Sequence, residues 1–162
     1  NNLQQNINAK LLSARCYLGN KQLDKGLDVL DQAKAEEKKA GISPNKGNPY
    51  IDLYRLLILS EDPAKEAEAQ NLSIKLERLN TLPLYQYAKA KCLSQSNKFE
   101  AALKAIDRAI DGTYPNPADF YELKGDILFA LENTAAAKAS YLLAIEKNGN
   151  LNKINSKLNR LN

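Results

Sequence analysis

Residues 90–110, AKCLSQSNKFEAALKAIDRAI, and residues 125–145, GDILFALENTAAAKASYLLAI, decide the fold. Laid over one another they agree at an offset of 35: Ala90 falls on Gly125, Leu93 on Leu128, Ala102 on Ala137, Ile106 on Tyr141, and Ala109-Ile110 on Ala144-Ile145. Within each stretch apolar residues recur at three- and four-residue steps, the period of one helix face. A short polar break, Ser96-Asn97 in one and Glu132-Asn133 in the other, divides each stretch into two stripes. Each is therefore a helix–turn–helix. The small side chains let two helices approach to about 8–10 Å, and the bulky residue of the next turn fills the flanking hole.

Outward from this pair the same periodicity fills the chain, and strict alternation is absent. Leu3, Ile7, Leu11, Ala14 and Leu18 make a first stripe, ended by Gly19-Asn20; Leu23, Leu27, Leu30 and Ala33 make the next, fading into Glu36-Glu37-Lys38-Lys39, read as a solvated helix end. Gly41 to Pro49 is the longest loop signal. Tyr50–Leu59 reads as a short apolar helix; Ser60 as a cap, with Pro63 starting a helix over Ala64–Leu79. Helices are expected from Thr81-Pro83 to about Gln95, from Asn97 through Ile110, over Asp119–Leu131 and over Thr134–Lys147, with Gly112–Pro117 a loop. Gly149 is the expected stop before a last helix, Asn150–Asn162, striped by Leu151, Ile154, Leu158 and Leu161. Nine helices are expected, antiparallel by their short connections.

A helix–turn–helix recurring at about 34 residues resembles the tetratricopeptide repeat family. Ala90 and Gly125 stand at that pattern's first small position, Ala102 and Ala137 at its second, Ile106 and Tyr141 at its aromatic one, and Ala109 and Ala144 at its last. An earlier unit places Ala14, Tyr17, Leu23, Gly26, Leu30 and Ala33 at the same stations. The unit over 49–80 is degenerate: Ala67 lies 35 before Ala102, but Arg55 stands where a small residue belongs and Asn71 replaces the aromatic. The resemblance implies an all-α fold, an α-α superhelix of about four units (3–40, 49–80, 84–112 and 118–148) with a capping helix over 150–162, all one repeat domain. The segment Glu122–Leu128 through Leu161 also resembles, more briefly, the end of the YfgM-type translocon accessory family, which is anchored in the bacterial inner membrane.

Composition agrees with a packed helical domain and narrows the chemistry. Of 162 residues 44% are hydrophobic and 26% charged, a globular balance, while 7 glycines and 6 prolines are too few for an all-β sandwich. No apolar run is long enough to span a bilayer. The chain has no Met, which fits a segment of a longer or processed protein, so that any membrane anchor would lie upstream. The net charge of +4 is spread among interspersed acids and bases, and the basic residues Lys147, Lys153, Lys157 and Arg160 lack interleaved aromatics, so no nucleic-acid footprint is read.

Histidine is absent, which removes the commonest general base, the usual zinc ligand and the Ser-His and Cys-His nucleophile pairs. No phosphate-cradling glycine loop occurs. Cys16 and Cys92 cannot form a Cys-rich metal site; both stand two residues after a first small position, two units apart, too far for a disulfide, and read as small buried core residues. No catalytic residue, metal or cofactor is expected, and the chain is read as a non-enzyme.

What remains is binding. The family resemblance implies a concave groove lined by the first helix of each unit, at Asn8, Leu11, Arg15 and Leu18; Leu84, Tyr87, Lys91, Ser94 and Gln95; and Asp119, Glu122, Asp126 and Phe129. Tyr87 and Phe129 would be apolar anchors, with charges fixing register. The same positions read equally well as solvated helix faces. One subset of the family grips a partner's C-terminal carboxylate with Lys, Asn and Arg. The matching positions here hold Leu11, Arg15, Leu84, Ala88, Glu122 and Leu123, so that clamp is not implied. The expected function is a non-catalytic scaffold or adaptor for a protein or peptide. Its rivals are the docking domain of a larger enzyme and a membrane-anchored bacterial envelope accessory protein with a chaperone-like role. Unpaired cysteines lean toward a reducing, cytoplasmic setting, and the second resemblance toward the periplasm.

Overall fold

In a computed structural model the described residues are 2–115 and 117–161, with the side chain of Asn45 apart. Asn1, Asn116 of the expected 112–117 loop and Asn162 at the end of the expected last helix lie outside them. The described residues form nine α-helices: α1 Asn2–Gly19, α2 Leu23–Lys39, α3 Pro49–Leu59, α4 Glu66–Lys75, α5 Pro83–Gln95, α6 Phe99–Asp111, α7 Ala118–Ala130, α8 Thr134–Glu146 and α9 Leu151–Asn159. Three 3₁₀ turns, Pro44–Lys46, Pro63–Lys65 and Glu77–Leu79, punctuate them, and no strand occurs among the described residues. The fold is all-α, built of helix hairpins, and it divides into two compact units, Asn1–Leu76 and Glu77–Asn162.

The hairpins close by one repeated device. Lys21, Asn97, Glu132 and Asn148 all sit in the left-handed region, with φ of 58°, 56°, 60° and 63°. At each, the following amide bonds back five residues: Gln22 N–H to Tyr17 O, Lys98 to Leu93, Asn133 to Leu128 and Gly149 to Ala144, at 2.8–2.9 Å. The left-handed residue itself bonds back three. This is a Schellman cap, which normally takes glycine because left-handed backbone crowds a Cβ. Only Gly41, closing α2 with φ 72°, supplies one. Gly149, expected from the sequence to stop α8, is not the left-handed residue; Asn148 is. Gly149 is needed for contact instead, since a Cβ there would stand 2.7 Å from both the Ala144 carbonyl oxygen and Ile154 Cδ1.

In the first unit, α1 pairs with α2, and α3 packs on both. Ile7, Leu11, Ala14, Leu30, Ala33, Ile51 and Ile58 form the core. Gly26 is buried in α2 because Ile58 Cδ1 occupies the space a Cβ would take, 2.7 Å away. Of the nine residues Ile51–Leu59 of α3, all but Asp52 and Arg55 are apolar or aromatic and six are buried, as expected of a helix covered on several sides. Ion pairs Lys10–Glu36 (2.9 Å), Lys34–Asp52 (2.9 Å) and Lys21–Glu61 (2.5 Å), with Arg55–Asp31, tie the helices at their rims.

Five expectations need correction here. The single helix over Ala64–Leu79 is instead a 3₁₀ turn, ten residues of α4 and a second 3₁₀ turn. Asp62, not Ser60, supplies the cap there, its Oδ1 accepting from Ala64 N–H at 3.0 Å, while the Ser60 hydroxyl donates to Leu57 O. The 35-residue register also fails in α4: Ala67 is exposed, and the buried stripe is Ala69, Ser73 and Leu76. These precede Ala102, Ile106 and Ala109 by 33 each (102 − 69, 106 − 73, 109 − 76), because the connection from α3 to α4, 60–65, has six residues where that from α5 to α6, 96–98, has three. Finally, Glu37 is not solvated. It is 4% exposed, and its Oε1 accepts Asn48 N–H at 2.5 Å, so the loop before α3 folds over a buried carboxylate with Lys34 Nζ 3.9 Å away. Cys16 is exposed rather than a core residue, whereas Cys92 is buried.

In the second unit, α5–α6 and α7–α8 are the two hairpins, α6 packs on α7, and α9 lies against α8. The small stations are fully inside: Ala90, Ala102, Ala109, Ala137 and Ala144 are all 0% exposed. Gly125 is the tightest, since a Cβ would meet the ring of Tyr141, 2.9 Å from Cζ and nearer still to Cδ1 and Cε1. The loop after α6 turns at Gly112 directly against Pro83, whose Cγ lies 2.5 Å from where a Cβ would be.

Candidate protein-binding surface

The positions expected to line a groove divide between the two units. In the first, Leu11 is buried in the core and serves packing, while Arg15 and Asn8 are exposed on α1 and Leu18 is half-buried. Asn8 accepts from the Gln4 side chain at 2.9 Å.

The second unit brings its members together. Leu84 is buried at the start of α5. One turn on, the Tyr87 ring stacks on Phe120 of α7, centroids 4.7 Å apart and planes at 22°. Tyr114, in the preceding loop, also stacks on Phe120, at 4.8 Å. Offset stacking at these distances adds to the area each ring buries. Lys91 lies along the same α5 face with Nζ 5.7 Å from the Tyr87 centroid. Burial pushes the Tyr87 phenol well above its ordinary range, and the nearby charges of Asp119 and Glu122 push it further, so it stays a neutral hydroxyl. Asp119 is exposed at the first turn of α7. Ser94 and Gln95 are half-buried.

Further along α7 the acids are already engaged. Glu122 is 6% exposed, and its Oε1 receives Lys153 Nζ at 2.7 Å and Lys157 Nζ at 2.5 Å, both from α9. Burial alone would raise the Glu122 carboxyl; the two lysine hydrogen bonds outweigh it and hold the group below its ordinary value. Asp126 receives Lys157 at 2.6 Å and the Tyr141 hydroxyl at 2.8 Å. Burial and that carboxylate raise the Tyr141 phenol, so it remains a donor. Phe129 is half-buried under the Arg160 guanidinium, 5.5 Å from its centroid. Lys124, on another face of α7, pairs with Asp107 of α6 at 2.7 Å.

On this unit Tyr87, Lys91 and Tyr114 are half-buried and Asp119 is exposed, so that an aromatic pair, a cation and an anion reach the surface of the α5–α7 side. The α9 cations were read from sequence only as an uninterleaved basic patch. The signal that finds them is spacing: Lys153, Lys157 and Arg160 stand at i, i+4 and i+7, as do Glu122, Asp126 and Phe129.

Among the described residues no group of three His, Cys, Asp or Glu side chains is placed to hold a metal ion, and no helix is long and apolar enough to cross a membrane. Residues 61–162 match the family model described as a tetratricopeptide repeat-like domain, which is well over half of the chain. No curated protein and no solved structure matches it.

Proposed function

The chain belongs to the tetratricopeptide repeat-like family, whose helical repeats serve as protein–protein interaction scaffolds, and from that premise we propose that it is a non-catalytic adaptor binding a protein segment on the α5–α7 face of its second unit. The observation that carries this reading is the Tyr87–Phe120–Tyr114 stack with Lys91 and Asp119 beside it. Rigid aromatic side chains present contact area at low entropic cost, and flanking charges of opposite sign set the direction in which a segment lies. The fitting partner places an apolar side chain on Tyr87 and a base toward Asp119. Whether the chain acts alone or as the docking part of a larger enzyme, the recognition chemistry is the same.

The test is affinity capture with the wild-type chain as bait, identification of what it retains, and repetition with Tyr87→Ala and with a Lys91→Ala/Asp119→Ala double variant. Each should retain helicity by circular dichroism and lose most of the captured partner. Undiminished capture by both folded variants would refute this surface.

A further inference from the structure

The last helix packs on α8 and turns its cations onto α7 as a ligand turns to a site. Lys153 meets Glu122 at 2.7 Å; Lys157 bridges Glu122 and Asp126 at 2.5 and 2.6 Å; Arg160 covers Phe129. Two residues of α9 and Arg160 at its C-cap thus match three of α7, position for position. The apolar part of the hold is a short stripe. Ile154 is the one fully buried residue of α9, Leu158 and Leu161 are partly buried against the Leu128–Tyr141 cluster, and Leu151 is 52% exposed. Nine residues are too few for a helix to persist in water alone. The order of α9 therefore comes from the surface beneath it, with Asn150 capping its first turn by accepting Lys153 N–H at 3.1 Å.

A surface that adds paired charges to a short apolar stripe selects the spacing of cations along with the apolar face. We propose that the Glu122–Asp126–Phe129 face of α7 is a docking site for a basic amphipathic helix, held in cis by α9, and that a partner helix with cations at i, i+4 and i+7 displaces α9 to bind there. This deepens the adaptor reading by naming a partner class, but it does not depend on the Tyr87 platform. The tether between α8 and α9 is Lys147–Asn150, short enough to keep α9 at an effective concentration in the millimolar range. A free helix competes poorly until α9 is weakened or its own affinity is higher.

The probe is a fluorescein-labelled peptide with the sequence of residues 150–161, NLNKINSKLNRL, titrated by anisotropy against the full chain. It should bind a Lys153→Ala/Lys157→Ala chain about tenfold or more tightly than wild type. Binding should weaken steeply with added salt, as screened charges require. It should vanish when Glu122→Gln and Asp126→Asn are added. Equal affinity for wild type and variant, no binding to the folded variant, or binding indifferent to Glu122 and Asp126 would overturn the proposal. Should the double variant lose helicity, hydrogen exchange on the wild type decides. Amides of α9 should exchange faster than those of α8 and faster still at high salt, and protection of α9 equal to that of α8 at both salts would overturn it. Failure here with Tyr87→Ala still abolishing capture would leave the adaptor standing and remove only this site.

Discussion

Replacing Gly125 with alanine sets two opposed energies against each other at the tightest crossing of the second unit. Alanine is worth about 1 kcal/mol over glycine inside a helix. Against that, the new methyl lands 2.9 Å from Tyr141 Cζ and nearer to two other ring atoms. The ring cannot swing away, because Tyr141 is 2% exposed, its hydroxyl is fixed on Asp126 at 2.8 Å and Lys157 lies 5.8 Å from its centroid. Overpacking a closed core costs about 1–3 kcal/mol, and a pinned ring puts this site at the upper end. The net expectation is a loss of about 1–2 kcal/mol, several degrees in Tm for a chain of this size; Gly125→Leu should lose more. The Tyr141→Ile background supplies the control. There Gly125→Ala recreates the pair Ala90 and Ile106 that stands 35 residues earlier, and it should be neutral or stabilising by up to about 1 kcal/mol. Circular dichroism melts and urea titrations of the four chains measure the coupling. A Gly125→Ala chain more stable than wild type, or an equal cost in both backgrounds, would refute the crossing argument. Gly19→Ala, with nothing within 4 Å of its Cβ, should not destabilise at all.

Four further outcomes are expected. Glu132→Gly should raise stability by roughly 0.5–1 kcal/mol, since Glu132 holds φ at 60° where only glycine is unstrained; a lower Tm would count against a strained cap. Glu37→Ala should cost about 1–3 kcal/mol and speed exchange of the Asn48 amide, which loses its acceptor; unchanged exchange would show the loop is held otherwise. Ellman's reagent should modify Cys16 at once and Cys92 only after denaturation, and two fast thiols would contradict the burial of Cys92. Because Glu122 is held below 4.5 in the folded state, its ion pairs contribute in full above that pH, and stability is lost as pH falls through the lower folded value. A Glu122→Gln chain should show a shallower acid loss below pH 4.5 than wild type, and identical slopes would sink the assignment.

The all-α class, the nine helices and the small residues of the second unit were legible in the sequence because they rest on local periodicity and on side-chain size, both carried by the residues themselves. The register of α4 was not legible: an alignment at constant offset has no knowledge that the connection from α3 to α4 is three residues longer than that from α5 to α6, and only burial shows Ala69 in place of Ala67. The left-handed caps were half legible: Asn97 and Asn148 are the residue type that takes this position when glycine does not, whereas Lys21 and Glu132 carry no local sign of the strain that the Schellman bonds impose on them. The candidate surface was half legible. Tyr87, Lys91 and Asp119 could be placed on helix faces, but whether a face meets solvent, the core or another helix depends on elements distant in sequence. Leu11 went to the core, and Glu122, Asp126 and Phe129 came under the cations of α9, about 30 residues away. Short-range order is written in the spacing of side chains; which charges find each other is decided only when the chain packs, because a Coulombic pair is worth little until both partners are held within a few ångströms and partly out of water.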